Sequence, residues 1–346
     1  MARSVLIIYT GGTIGMMEDP ESRSLIPFDF EQLSHQVPEL TRFDLVIDAV
    51  SFDPILDSSN IQVEHWQQMA RQIESNYEQY DGFVVLHGTD TMAYSASALS
   101  FMLRGLQKPV IFTGSQLPIG VLRTDGKENL ITSIQLAGMA SNNTPVIREV
   151  AIYFGSALYR GNRTHKYSTE AFDAIHSPNL PALAEAGIHV QFRTNLFPVV
   201  SEETPFSVQY EMDSRVAVLK LFPGIRKEVV QGICSTPNLK GLIIETFGSG
   251  NSPDLPWFIE ELGKLREKGV FMVNVTQCSE GFVEQGRYAT STSMMELGVI
   301  PAADMTFEAA LTKMMYLIPQ CGDVETFGNQ MLTPMRGELT SYSSLV

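Results

Sequence analysis

Cysteine is scarce in this chain, with three in 346 residues. Cys234, Cys278 and Cys321 lie far apart and form no CxxC pair. That odd number at such spacing fits reduced thiols in a cytoplasmic protein better than a disulfide framework or a zinc site. Basic residues are also few: 24 Lys plus Arg stand against 39 Asp plus Glu, a net charge of −15. Nucleic acid and anionic membrane both require a cationic face, so neither is an expected partner. No apolar run approaches the roughly 18 residues that a membrane-spanning helix needs. The first such run, Val5–Ile8, soon meets Gly11 and Gly12, and reads as a β-strand and not as a signal peptide. The six histidines show no HExxH or comparable ligand spacing, so no metal is expected. No G-x-S-x-G elbow occurs, and His87, which precedes a glycine, has no evident serine partner.

What is present is an ordinary globular composition, 44% hydrophobic and 18% charged, in a chain long enough for two domains. Runs rich in Val, Ile and Phe at Val5–Tyr9, Leu45–Val50, Phe83–Leu86, Val110–Thr113 and Val150–Phe154 read as buried strands. Helical patterns separate them: Val63, Trp66, Ile73 and Tyr77 at helical spacing, then Met92–Leu106, then about Lys127–Ala140. Strand–helix alternation of this kind implies a parallel sheet covered on both faces. The pattern lapses from about Gln191 to Met212 and resumes with strands at Val216–Leu221, Leu242–Glu245 and Val270–Val275. Helices follow Pro223 and span Leu255–Lys268 and Met305–Ile318, with a short helical tail. The expected fold class is α/β with two α/β domains. A larger N-terminal parallel-sheet domain covers 1–190, a linker 191–213, and a smaller C-terminal domain 214–346.

In open α/β sheets, ligands bind beyond the carboxyl ends of the strands. The segments there are Thr10–Gly15, Asp57-Ser58-Ser59, His87–Thr91 and Tyr159–Lys166. If the sheet forms as read, they converge. Each also has a plainer reading. Gly11, Gly12 and Gly15 resemble a phosphate loop, but neither GxGxxG nor GxxxxGK[ST] is satisfied, and no cofactor is expected. Thr89-Asp90-Thr91 can serve as a helix N-cap, as can Asp57-Ser58-Ser59 for the helix carrying Trp66. Lys166 alone would be a solvated lysine.

The conjunction of motifs goes further. Tyr9–Gly15, Asp81-Gly82-Phe83, His87–Ala98, Leu158–Thr164, Ser177–Pro181, Gly248, Gly250, Asn251, Val273–Cys278 and Ala303–Thr306 together resemble the bacterial-type L-asparaginase family. The cytoplasmic type I branch is the most similar, and the resemblance covers nearly the whole chain. It implies that Thr13 is the nucleophile of an acyl-enzyme mechanism acting on L-asparagine. Thr89, Lys166 and Asp90 would be the base group, because a threonine hydroxyl needs activation. Desolvation can make such a lysine a proton acceptor, an effect that Asp90 partly offsets, so the protonation state of Lys166 stays open. Asp90, with Asp57 beside it, would hold the substrate ammonium. The Ser58 hydroxyl and the amides of Ser58 and Ser59 would hold its carboxylate, and amides near Thr13 and Thr89 the oxyanion.

By the same resemblance, Asn251 reaches a neighbouring subunit's site in a homotetramer built from close dimers. Glutamine is one methylene longer than asparagine, a difference worth only about 1–3 kcal/mol, so glutaminase activity is the nearest alternative. The archaeal tRNA-dependent amidotransferase subunit carries an added N-terminal domain, and this chain is expected to lack it. Two departures stand out. Leu25 occupies about the place of the family's flap tyrosine, in a stretch whose residues Met16–Ser24 read as a mobile polar lid. At the regulatory asparagine site of some cytoplasmic members, Glu245 replaces an arginine and His165 a threonine, while Cys278 is kept. Rates hyperbolic in asparagine are expected from that change.

Overall fold

The computed structural model describes residues 2–18, 25–27, 37–198, 204–285 and 289–341. The chain divides into two compact units, Met1–Tyr210 and Glu211–Val346. The segment 191–213 is not uniformly irregular: Val190–Phe192 is a strand, and Ser207–Val208 pairs with Leu103–Arg104.

In the first unit, β1 (Arg3–Gly11), β2 (Leu45–Leu56), β3 (Gly82–Leu86), β4 (Val110–Thr113) and β5 (Val150–Phe154) lie in the order β2-β1-β3-β4-β5, all parallel. Helices α1 (Val63–Ser75), α2 (Met92–Met102) and α3 (Gly126–Gly138) make the crossovers. Alternation along the strands sends Val5, Ile7, Tyr9, Val84, Leu86 and Ile111 to the face where Leu130 and Ile134 of α3 pack. Their neighbours Leu6, Ile8, Phe83, Val85 and Phe112 are equally buried, and α2 packs against β4 and β5. Burial on both faces explains why these strands read as continuous apolar runs.

The sheet then departs from the purely parallel expectation. β6 (Ala157–Arg160) turns back antiparallel on β5. After a small ribbon, β7 (His165–Lys166) with β8 (Ile175–His176), the strands β9 (Ala184–Ala186) and β10 (Val190–Phe192) extend it antiparallel. These strands are short and carry polar and charged residues, so hydrophobic periodicity does not reveal them. The polar lid expectation falls partly outside the described residues. Met16–Glu18 pairs with Leu25–Pro27, whereas 19–24 and the Leu25 side chain lie outside them.

The second unit is a smaller parallel sheet, β11 (Val216–Lys220), β12 (Gly241–Thr246), β13 (Phe271–Thr276) and β14 (Ile300–Pro301), in that order. Helices α4 (Lys227–Cys234) and α5 (Pro256–Glu267) bury Val230, Phe258, Leu262 and Leu265 against Leu219, Leu242 and Ile244. Helix α6 (Phe307–Leu317) packs on β12 and β13, and α7 (Val324–Leu332) packs on α6. Among the described residues, no helix is long and apolar enough to cross a membrane.

Candidate active site

Three strand ends are drawn close together by glycine. Gly12 has φ 89°, and a Cβ there would stand 2.5 Å from the Gly88 nitrogen. A Cβ on Gly88 would stand 2.4 Å from Ser58 Oγ. Real side chains tolerate neither approach, so the loops after β1, β2 and β3 close on one another only because these positions are glycine. Thr10 Oγ1 donates to the Leu86 carbonyl at 2.9 Å and locks the end of β1 to β3. Thr13 then opens a single 3-10 turn, Thr13–Gly15, and is half-buried. The Tyr9 hydroxyl donates to the Gly15 carbonyl at 2.9 Å and holds that turn from beneath.

Asp57 follows β2 directly. It does not cap α1, whose N-cap is Gln62. Instead its Oδ1 accepts from the Ser59 amide and the Ser59 hydroxyl, both at 2.9 Å. Those two donors hold its carboxyl below the usual range. Ser58 is buried, and its carbonyl accepts from Thr91 Oγ1 at 2.7 Å. Thr91 sits at the N-cap of α2 without any side-chain capping bond. The threonine that would cap the helix instead ties two loops together.

Lys166 arrives from the antiparallel edge. The turn Gly161–Arg163 is anchored to α2 by Asn162 Nδ2, which donates to Ser100 Oγ at 3.0 Å. β7 then carries Lys166 so that its Nζ lies 2.8 Å from Thr89 Oγ1 and 2.7 Å from Asp90 Oδ1. The Lys166 side chain is 16% exposed and that of Asp90 64%, so the lysine is largely withdrawn from water while its carboxylate faces it. The solvated-lysine reading does not hold. Thr13, Ser58, Thr89, Asp90 and Lys166 thus come from separate segments to one end of the sheet, with Asp57 and Ser59 beside them.

His87 has a serine partner after all: its Nε2 lies 2.9 Å from Ser95 Oγ. Eight residues and a helical turn separate them, so no elbow motif announces the pair. Trp66 Nε1 donates to the same oxygen at 2.9 Å, and all three side chains are buried.

The remaining expected residues lie in the second unit. Asn251 closes a tight turn after β12, its amide donating to the Phe247 carbonyl at 2.8 Å and its carbonyl accepting from the Phe247 amide at 3.0 Å. Asn274, buried beneath, donates to the Gly250 carbonyl at 3.2 Å and accepts from Thr246 Oγ1 at 2.6 Å. Glu245 lies 3.5 Å from Lys220 Nζ, and Cys278 is exposed.

The fold is a two-unit α/β structure in which a Thr–Lys–Asp group gathers with other polar residues at strand carboxyl ends. Residues 4–197 match the model of the asparaginase N-terminal domain. Residues 215–331 match that of the glutaminase/asparaginase C-terminal domain. The chain is 43% identical over 339 residues to L-asparaginase 1 of Escherichia coli (strain K12), covering 98% of each chain. It is 40% identical to the crystal structure of L-asparaginase I from Vibrio cholerae, with a TM-score of 0.88 over 98% of this chain and 100% of that one. It is also 40% identical to the 60 kDa lysophospholipase of Homo sapiens, over 98% of this chain and 62% of that protein. The chain belongs to the asparaginase family of amide hydrolases.

Proposed function

We propose that this chain hydrolyses the side-chain amide of L-asparagine to L-aspartate and ammonia through a threonyl acyl-enzyme. The observation that carries the reading is the Lys166 Nζ within hydrogen-bond reach of both Thr89 and Asp90, whose loop closes on Gly12, next to Thr13, at Gly88. Thr13 Oγ attacks the amide carbon while its proton passes to the Thr89–Lys166–Asp90 group. The amide C=O becomes an oxyanion held by backbone N–H groups. As the tetrahedral centre collapses, the C–N bond breaks and the leaving nitrogen takes the proton, departing as ammonia. Water then attacks the ester, Thr13 recovers its hydrogen, and L-aspartate leaves.

Asp90 and Asp57 place negative charge where the substrate ammonium binds. The buried Ser58 offers donors to the carboxylate, and the Ser59 amide, which donates to Asp57 Oδ1, fixes that loop beside it. The amides of Thr13 and Thr89, on the loops that close at Gly12 and Gly88, would hold the oxyanion. Asn251 would complete the neighbouring subunit's site in a cytoplasmic homotetramer.

Ammonia release from L-asparagine, L-glutamine and, as a control, fatty-acid release from lysophosphatidylcholine test the reading. Asparagine should be the preferred substrate, with initial rates hyperbolic in its concentration. Thr13→Ala should lose at least about 10³ in kcat while still binding L-aspartate. A Thr13→Ala enzyme that keeps a tenth of the rate, or a preference for the lysophospholipid, overturns the assignment.

A further inference from the structure

The three buried side chains below the site form a hydrogen-bonded chain whose direction is set by its ends. The Trp66 indole N–H is only a donor, and it points at Ser95 Oγ from 2.9 Å. At the other end, His87 Nδ1 lies 2.7 Å from the Gly88 carbonyl oxygen, which is only an acceptor. Nδ1 must therefore carry the ring proton. Nε2 is then the acceptor in the neutral ring, and Ser95, already accepting from Trp66, donates to it across 2.9 Å. Every group is satisfied in this neutral arrangement, whereas a neutral ring with its proton on Nε2 would set Nδ1 against the Gly88 carbonyl. Burial agrees: Ser95 is fully buried and His87 is 1% exposed. That burial holds the imidazole down at about 4, so the ring is neutral at physiological pH.

The end of the chain is a peptide bond and not a substrate. Gly88 C=O and Thr89 N–H belong to one planar trans unit and point in opposite directions. Turning the carbonyl inward to His87 turns the Thr89 N–H away from the buried interior. Gly88 has no side chain to resist rotation of this unit, so something else must hold its angle. We propose that Trp66, Ser95 and His87 form a positioning chain that fixes the Gly88–Thr89 peptide plane and so aims the Thr89 N–H at the reacting oxygen. It rests on the proposed acyl-transfer reading, in which that amide is an oxyanion donor.

The physical basis is preorganisation: a donor already aimed costs no reorganisation when charge develops, and deleting one such donor costs about 10²–10³ in kcat. Freeing the peptide to swing loses part of that effect. His87 does not touch the substrate, and it neither takes nor gives the Thr13 proton.

His87→Leu removes both ring nitrogens and keeps comparable bulk. Its kcat on L-asparagine should fall by about tenfold to hundredfold, a fraction of the full loss of a donor, with KM changed less than about threefold. The decisive readout compares L-asparagine with its side-chain thioamide. Sulfur accepts hydrogen bonds weakly, so a well-aimed hole favours oxygen. The oxygen-to-sulfur rate ratio should therefore shrink in His87→Leu and, less so, in Ser95→Ala. Trp66→Phe, which deletes only the terminal donor, should show the smallest change.

A lowered kcat with the wild-type oxygen-to-sulfur ratio would make His87 merely structural and overturn the inference, as would an unchanged kcat. Nitrogen-15 spectra of the histidines in the wild-type enzyme give a check that needs no variant to fold. The Nδ1–H tautomer of His87 is required, and the Nε2–H tautomer overturns the chain. If wild-type enzyme releases no ammonia from asparagine, the functional reading fails instead, a result distinct from any of these.

Discussion

Two of the lysines that meet carboxylates, Lys166 in the first unit and Lys313 in the second, are built differently. Lys313, on α6, and Glu338 are both fully buried, 2.5 Å apart. The remaining Lys313 protons go to the carbonyls of Met331 and Thr333 at 2.9 and 2.8 Å. Glu338 in turn accepts from the amides of Met335 and Arg336. Burial works against the Glu338 carboxylate, but the Lys313 ammonium and these amides outweigh it and hold the carboxyl below its usual range. Every donor and acceptor is committed to a fixed partner, and the chain after α7 is fastened to α6. Among the described residues Lys166 instead meets Thr89 and Asp90, and Asp90 is mostly exposed. A lysine beside an open carboxylate is arranged for exchange, whereas one with saturated geometry is arranged for cohesion.

The contrast is sharpened by removing each lysine nitrogen in turn. Lys166→Met should lower kcat by about 10³ or more, since it removes the proton acceptor, with a modest change in KM. Its unfolding midpoint in urea should stay near that of the wild type. A large KM rise at normal kcat would reassign Lys166 to binding.

Lys313→Met should do the reverse. Breaking a buried pair strands the remaining charge, a loss of about 3–5 kcal/mol in unfolding free energy. The protein that remains folded should keep wild-type KM and kcat per active site, as measured by active-site titration. Unchanged stability would show that Glu338 is neutral or rehydrated in the variant and that the pair is not the clasp described.

The smallest expected effect concerns pH and separates a buried neutral side chain from both lysines. His87 is held at about 4, below the 6.5 of a free imidazole, so between those values the unfolded chain binds the extra proton. Stability therefore rises with pH through this window, and burial of His87 costs up to about 3 kcal/mol at its acid end. The wild type should lose that much more stability than His87→Leu between pH 7 and pH 4 in denaturant titrations. Parallel curves for the two proteins would mean that His87 is protonated within the fold.

Much of the architecture is legible along the chain. Val110–Thr113 and Val150–Phe154 form strands over those same residues, because strands buried on both faces need uninterrupted apolar side chains. The antiparallel edge is not legible. Ala157–Arg160, Ala184–Ala186 and Val190–Phe192 are short and mixed in polarity, and their pairing, not their composition, makes them strands. The candidate site divides the same way. Its segments could be picked out as polar residues following apolar runs. The part assigned to Thr13 came only from resemblance to a family, since one threonine after a glycine pair has no chemical signature of its own.

The sequence by itself determined the two α/β halves, the parallel character of the central strands and the strand ends where polar residues gather. Periodicity and residue size act locally, within a few positions of the chain. Only the tertiary structure brought Lys166 to Thr89, Ser95 to His87 and Trp66, and Lys313 to Glu338. Each of those contacts depends on the approach of separately formed elements. Whether a lysine is solvated, reactive or locked depends on which acceptors surround it after that approach, and its sequence neighbours do not supply them.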